Sequence, residues 1–211
     1  GGAGGGGGSG GGRVAGGGAG AGVVEAAGGR VVPYGGSGLR AILAEVERRA
    51  HDLGDSGAIC NDASIALMHA HCSILRENVL RASDTAFGHR LMRDIVVPGG
   101  VAHNLNDGGT EIIQAALDNI RPRFPALVEL YDNTASLQDR TVDTGVLKPA
   151  FAKQYAAGGY IGRASGRSFD ARKVLAYPPY DRLRFQVPVL NEGDVNARVW
   201  IRVREVEQSL S

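Results

Sequence analysis

The sequence predicts a mainly α-helical protein with a few short strands. Apolar residues recur at helical spacing over residues 39–53. Residues 58–80 are apolar on more than one face and contain neither Pro nor Gly, which predicts a long, largely buried helix. Residues 183–187 instead alternate apolar and polar side chains, which predicts a short strand ended by Pro188.

The start of the chain differs in composition from the rest. Residues 1–22 are almost entirely Gly and Ala, so they cannot bury enough apolar surface to offset the entropy of ordering them. We therefore predict a disordered tail over residues 1–22 and one domain over residues 23–211. No basic segment followed by an apolar one supports a secretory signal, so the default expectation is a cytoplasmic location.

Hydropathy and charge exclude two classes of function. No run approaches the roughly 18 to 20 apolar residues that span a bilayer, so we expect no transmembrane segment in the chain itself. The net charge of +1 gives no electrostatic case for binding nucleic acid. Any membrane association is therefore expected to depend on partners.

The helical elements follow in order. In the first helix, we expect Glu45 and Arg49 to pair on the outer face, at i,i+4 spacing. Gly54 and Gly57 are expected to interrupt the chain before the second helix. The apolar face of the first helix comprises Leu39, Ile42, Leu43, Val46, Ala50 and Leu53.

The second half of the chain is less regular. Residues 96–109 contain a Pro-Gly-Gly turn and several Asn and Gly residues, which predicts a loop. A third helix is expected from Thr110, split into two halves by Pro122 and Pro125. Residues 148–155 predict a short helix. After Asp194 the pattern fits a strand or a helix, and we favour a helix.

The two cysteines are interpreted as buried free thiols. Cys60 and Cys72 are twelve residues apart on one predicted helix, which separates them by roughly 18 Å along its axis and prevents a disulfide. The chain has no Cys-x-x-Cys motif, so the ligand spacing of a zinc ribbon or an iron-sulfur cluster is missing. His69 and His71 lie near Cys72 but make an incomplete ligand set. We predict no metal ligands.

Two acids are candidates for function. Asp62 follows Asn61 near the predicted start of the most apolar helix, where burial of a carboxylate is costly without a partner. Alternatively, Asp55 and Asp62 lie in exposed first turns, where acids interact favourably with the helix dipole. The residues alone do not decide between these interpretations.

Two arginines lie in predicted loops beside small or hydroxyl residues. Arg140 and Arg163 could each position an anion or a carboxylate. An equally good interpretation is that they pair internally with Asp143 or Asp170 and fix their loops.

Several sequence blocks carry a family resemblance. In order, they are LGDSGAICNDA, FGHRLMRDIVVPGGV, DRTVDTGV, GRASG and FDARK, followed by residues 180–199. Together they resemble the large subunit of membrane-bound nickel-iron hydrogenases of the formate-hydrogenlyase type, which is similar to the quinone-site subunit of respiratory complex I (NADH-quinone oxidoreductase). The resemblance covers about residues 23–211 and implies a partial hydrogenase or complex I large-subunit fold.

The resemblance also implies a role and partners. The family passes electrons between a small iron-sulfur subunit and quinone or protons, together with membrane subunits at the cytoplasmic side of the inner membrane. Complete hydrogenases have one Cys-x-x-Cys pair before the block that resembles residues 24–29 and a second pair beyond the point where this chain ends. Neither pair is present here, so we expect no nickel-iron centre from this chain alone. The rival expectation is a non-catalytic scaffold or fragment that docks an iron-sulfur subunit.

A quinone-site acid is the one site feature that the resemblance supplies. The complex I subunit has an acidic residue near the quinone headgroup in this part of the sequence. Counting back without gaps from the Arg76-Glu77 pair assigns it to Asp62. The local Asp-x-Gly-Ala pattern assigns it to Asp55 instead. Both remain candidates, and no other cofactor-binding residue is assigned.

Overall fold

Two long helices dominate the structure of the chain, which is a computed structural model that describes residues 28, 32, 34–175 and 177–210. Helices α1 (Tyr34–Asp62) and α2 (Ala66–Phe87) form an antiparallel hairpin. The predicted tail, residues 1–22, lies outside the described residues. None of the described helices is both long and apolar enough to cross a membrane.

The remaining elements are shorter, and they confirm the predicted fold class of a mainly helical protein with a few short strands. A two-residue antiparallel pair lies inside the predicted loop, with Val96 opposite Val101. The last helix confirms the choice of helix over strand after Asp194. The elements are β1 (Val96–Val97), β2 (Gly100–Val101), α3 (Gly109–Ile120), α4 (Phe124–Asn133), α5 (Ala135–Thr141), α6 (Pro149–Gln154), α7 (Gly159–Ala164), α8 (Ala171–Val174) and α9 (Val195–Leu210).

The predicted continuous helix over residues 58–80 is wrong. The chain turns between α1 and α2, where Ser64 adopts a left-handed conformation with φ 69°. The backbone N–H groups of Ser64 and Ile65 donate to the carbonyls of Asn61 and Cys60, both at 2.8 Å, and close the turn. Asn, Asp and Ser favour such turns because their side chains compete with the helical hydrogen bonds. The polar sequence before Ile65, without Gly or Pro, therefore ends the helix.

The predicted interruption at the two glycines is also wrong, because both lie inside α1. A Cβ atom on Gly57 would lie 2.7 Å from the Cβ of Cys72, and one on Gly54 would lie 2.8 Å from the Cδ of Arg76. The missing side chains let the backbones of α1 and α2 approach closely. These glycines are therefore packing positions and not helix ends.

The core lies between α1, α2 and α9. Tyr131 on α4 is fully buried and packs its ring edge-on against Trp200 of α9, with a centroid distance of 6.2 Å. The Tyr131 hydroxyl donates to Asn196 Oδ1 at 2.8 Å, so its polar end is satisfied in the core. Aliphatic residues fill the rest of the space, namely Leu43, Val46, Leu53, Leu75, Val79, Val199, Val203 and Val206.

Shorter predictions had mixed outcomes. The split of the third predicted helix is confirmed, because α3 ends at Ile120 and α4 begins at Phe124, and α6 confirms the short helix predicted over residues 148–155. The strand predicted over residues 183–187 is wrong, since this segment has no regular structure. Phe185 packs against Arg172 and Tyr180 instead, with its ring centroid 4.9 Å from the guanidinium carbon. Ring contacts to Arg172 of α8 and to Tyr180 therefore hold this segment.

Candidate functional site

The two predicted site acids lie on α1, seven residues and about two helical turns apart. Asp62 is the last residue of α1 and is exposed. The expectation that it lies near the start of a helix is wrong, and so is the alternative of an exposed first turn. A carboxylate at a helix C-terminus meets the negative end of the helix dipole, so its position is not a stabilising one.

Asp55 has a different environment from Asp62. It lies within α1, and its side chain is 37% exposed and forms an ion pair with Arg202 of α9, with Oδ2 3.2 Å from Nη2. Arg202 is buried, and its guanidinium carbon lies 3.5 Å from the centroid of the Tyr160 ring. Asp55 is therefore the solvent-facing partner of an ion pair whose other partner, Arg202, is buried.

A buried network of ion pairs lies behind that contact, where α1 meets the segment around α8. Arg172 donates to both oxygens of Asp170, from Nε at 3.0 Å and from Nη2 at 2.6 Å. Its third nitrogen, Nη1, donates to Glu45 Oε1 at 2.7 Å. The Tyr180 hydroxyl donates to the same Glu45 oxygen at 3.0 Å. Arg172 thereby fixes the α8 segment to α1.

Glu45 is held in its ionised form. Burial alone would raise its pKa, but Arg48 and Arg172 together lower the pKa of Glu45 to about 2. Arg48 donates to Glu45 Oε2 at 2.5 Å. The predicted outer pair between Glu45 and Arg49 is therefore wrong, because Arg49 is buried and donates to Ser209 of α9.

The network continues between α7 and α9. Arg163 donates to Glu205 Oε1, and its Nη1 lies 4.0 Å from Asp170 Oδ2. This contact supports the internal interpretation of Arg163. Arg140 does not pair with Asp143, since its Nη1 donates to the carbonyl of Ala63 at 3.1 Å. Arg140 thus helps to hold the turn between α1 and α2.

Asp52 completes the network. It is buried on α1, and its Oδ2 lies 3.3 Å from Arg48 Nη1. Burial, and next the neighbouring carboxylate of Glu205, raise the pKa of Asp52 to about 7, against the opposing effect of the arginines. Sequence reasoning missed this cluster. The available signal was the charged stripe at helical spacing on α1, formed by Glu45, Arg48, Asp52 and Asp55.

The cysteines do not fit a nickel-iron centre. Cys60 is on α1 and Cys72 on α2, so their assignment to one helix is wrong, although both are free and buried. Burial raises the pKa of Cys60 to about 11 and that of Cys72 to about 12, which opposes the thiolate form that binds metals. His69 and His71 are exposed on α2. Within the described part of the chain, no group of three or more His, Cys, Asp or Glu side chains could hold a metal ion.

The geometry thus defines a mainly helical protein that presents an exposed carboxylate at the end of a helical hairpin braced by buried ion pairs. Residues 64–211 match the family described as respiratory-chain NADH dehydrogenase, 49 Kd subunit, and the chain belongs to this family. The resemblance stated from the sequence blocks is therefore confirmed.

Individual relatives agree with the family. The carbon monoxide-induced hydrogenase of Rhodospirillum rubrum is 30% identical over 188 residues, which cover 89% of this chain and 52% of the hydrogenase. An NADH-quinone oxidoreductase subunit of Desulfotalea psychrophila is 32% identical over 189 residues, covering 89% and 50% of the two chains. The corresponding subunit of Magnetococcus marinus is 30% identical, covering 89% and 47%. The chain spans about half the length of these relatives.

Proposed function

We propose that the chain is part of the large subunit of a multisubunit redox complex of the NADH-quinone oxidoreductase or hydrogenase type. The observation that carries this proposal is the family membership, since the relatives that match most of the chain are NADH-quinone oxidoreductase subunits and a hydrogenase. In such a complex the chain helps to pass electrons between an iron-sulfur partner and quinone or protons.

We assign the quinone-site acid to Asp62 before Asp55. Reduction of a quinone consumes protons, so an acid that can reach the bound headgroup contributes by proton transfer. Asp62 is exposed and, among the described residues, has no ion pair to break, whereas the carboxylate of Asp55 is engaged by Arg202. Asp55 would take this role only if its ion pair opened.

The acid is tested in the complex assembled with its iron-sulfur and membrane subunits. Asp62→Asn is expected to lower quinone reduction by about 10²-fold or more, the range typical for loss of a positioned proton donor, without loss of assembly. Asp55→Asn is the parallel variant, and Asp84→Asn, an exposed acid on α2, is the matched control. Full turnover in both Asp62→Asn and Asp55→Asn would overturn the assignment.

The iron-sulfur partner is proposed to dock on the exposed apolar face of α2. Leu67 and Ile74 are seven residues apart, so they lie on one face of the helix, and their side chains are 58% and 53% exposed. Leu67 is in the first turn of α2, at the same end of the hairpin as Asp62. A partner on this face would therefore cover apolar surface next to the candidate acid. Association through such partners would place the chain at the cytoplasmic side of the inner membrane.

The second candidate is a non-catalytic scaffold that docks an iron-sulfur subunit. Its support is the burial of both cysteines and the lack of a metal-binding group among the described residues. Separate measurements of assembly and of turnover distinguish the two candidate functions. A scaffold would still assemble with its partner, but quinone reduction by the complex would not respond to Asp62→Asn or to Asp55→Asn.

A further inference from the structure

The carboxylates of the ion-pair network differ in how they are partnered. The partly buried Glu45 and the buried Asp170 and Glu205 each accept a short hydrogen bond from a guanidinium group. Asp52 is buried like Asp170 and Glu205, yet its contact with a guanidinium group, that of Arg48, is 3.3 Å long. Its carboxylate is therefore the weakest-held negative charge of the four.

The arginines that face Asp52 are engaged elsewhere. Arg48 on its own helix also donates to Glu45 at 2.5 Å. Arg202 of α9 contacts Asp55 at 3.2 Å, and Arg163 of α7 donates to Glu205.

The remaining charged neighbours complete the electrostatic setting of Asp52. Arg49, also on α1, donates to Ser209. Arg48 Nη1 donates both to Asp52 Oδ2 at 3.3 Å and to the backbone carbonyl of Glu205 at 3.1 Å, so Glu205, which is 2% exposed, approaches Asp52 from α9. When two buried carboxyl groups share their cations, the state in which one of them keeps its proton is favoured over the state in which both are ionised.

We propose that Asp52 and Glu205 form a buried proton-binding site that holds one proton at the contact of α1 with α9. Arg163 donates directly to Glu205 and not to Asp52, so Asp52 is the carboxyl group that carries the proton. The raised pKa of Asp52, caused by burial and then by Glu205, agrees with this assignment. The site needs no redox partner, so it stands or falls separately from the proposed function.

Arg202 couples this site to Asp55. Arg202 forms its ion pair with Asp55, and its positive charge also opposes the rise in the pKa of Asp52. Neutralising Asp55 would leave Arg202 free to stabilise an ionised Asp52. The proton site therefore responds to a change at a solvent-facing acid one helical turn away.

Infrared spectroscopy of the full chain tests the site, because a protonated carboxyl group has its own C=O stretch. The wild type is expected to keep one such band above pH ~5.5, where ordinary carboxyl groups have ionised, and to lose it with a midpoint near the pKa of about 7. Asp52→Asn is expected to abolish the band. Complete ionisation of the wild-type carboxyl groups below pH ~5.5 would overturn the proposal.

Three further variants make the test more specific. They also keep it usable if Asp52→Asn does not fold. Glu205→Gln is expected to lower the midpoint by about 1 pH unit, because it removes the like charge and frees Arg163. Asp55→Asn is expected to lower it in the same direction by less. Asp62→Asn, two turns from Asp55, is the matched control and leaves the midpoint unchanged. An unchanged midpoint in Glu205→Gln would overturn the proposal.

Discussion

The two sides of α1 make contacts of different chemical character. Toward α2 the contact depends on small residues, since Gly54 and Gly57 leave room for Arg76 and Cys72. Toward α9 and the α7–α8 segment the contact depends on buried guanidinium and carboxylate groups, of which Arg172 is the most connected. Helix α1 therefore packs closely against α2 on one side and forms ion pairs on the other. We call this ion-pair network the charged joint; it comprises Glu45, Arg48, Asp52, Arg163, Asp170, Arg172 and Glu205.

Because of this difference, we expect substitutions in the two contacts to reduce stability in different ways. An apolar contact loses free energy in proportion to the space that is emptied or overfilled. A buried ion pair is costly to break because removal of one partner leaves the other charged and dehydrated. Substitutions in the charged joint are therefore expected to cost more than those in the hairpin.

The largest effect is expected when the most connected arginine is removed. Arg172→Met leaves Asp170 without its main cation and Glu45 without one of its two cations, and we expect the free energy of unfolding to fall by about 3–5 kcal/mol. Denaturant unfolding measures the loss. Arg81→Met is the control, because that arginine is exposed on α2. Equal losses in both variants would show that the joint is no more sensitive than the surface.

The second-largest effect is expected at acidic pH, which weakens the charged joint. The pKa of Glu45 is lowered in the folded protein to about 2 from 4.5, so its contribution to stability is present above pH 4.5 and is lost as the pH falls toward 2. The loss amounts to at most about 3 kcal/mol. Unfolding measured across this pH range should show a shallower decline in Glu45→Gln. An identical slope in both proteins would contradict the role of Glu45.

Overfilling the hairpin is expected to have a smaller effect. Gly57→Ala places a Cβ atom 2.7 Å from the Cβ of Cys72 and 3.2 Å from the Cα of His69, so we expect a loss of about 1–3 kcal/mol. Gly38→Ala, with nothing within 4 Å of the new Cβ atom, is expected to stabilise the same helix by about 0.4–1 kcal/mol. Thermal unfolding compares the two variants. A stabilised Gly57→Ala would contradict the close approach of α1 and α2.

The smallest effect is expected at an exposed ion cluster. Glu77 on α2 pairs with Arg81 and with Arg90, but all three side chains are open to solvent. Water and salt screen such pairs. Glu77→Gln is therefore expected to leave the denaturant midpoint unchanged at physiological salt. A shift as large as that of Arg172→Met would remove the distinction between buried and exposed pairs.

Local signals predicted part of the fold. Pro122 and Pro125 placed the split between α3 and α4, and after Asp194, where the pattern fits a strand or a helix, the favoured helix is confirmed. Apolar periodicity identified the long helical region that begins at Leu39. It failed at Ser64, where a polar turn ends α1 without Gly or Pro. That failure misplaced Asp62 at a helix start and put Cys60 and Cys72 on one helix.

The charged joint could not be predicted from local sequence. Glu45 and Arg172 are 127 residues apart, and Asp55 and Arg202 are 147 residues apart. Nothing in the neighbouring residues specifies such pairings, because they form only when α9 and the α8 segment fold back on α1. The charged stripe on α1 indicates that this face has partners, but not which ones.

Copurification tests the central claim, that the chain belongs to a redox complex and docks an iron-sulfur partner, most directly. The tagged chain is coexpressed with the small iron-sulfur subunit of a related complex, and the recovered iron-sulfur protein is measured. We expect the iron-sulfur protein to be recovered together with the chain. Leu67→Glu is expected to abolish it, and Val174→Glu, a 57% exposed side chain on α8, to leave it intact. The claim is contradicted if the unaltered chain recovers no iron-sulfur protein.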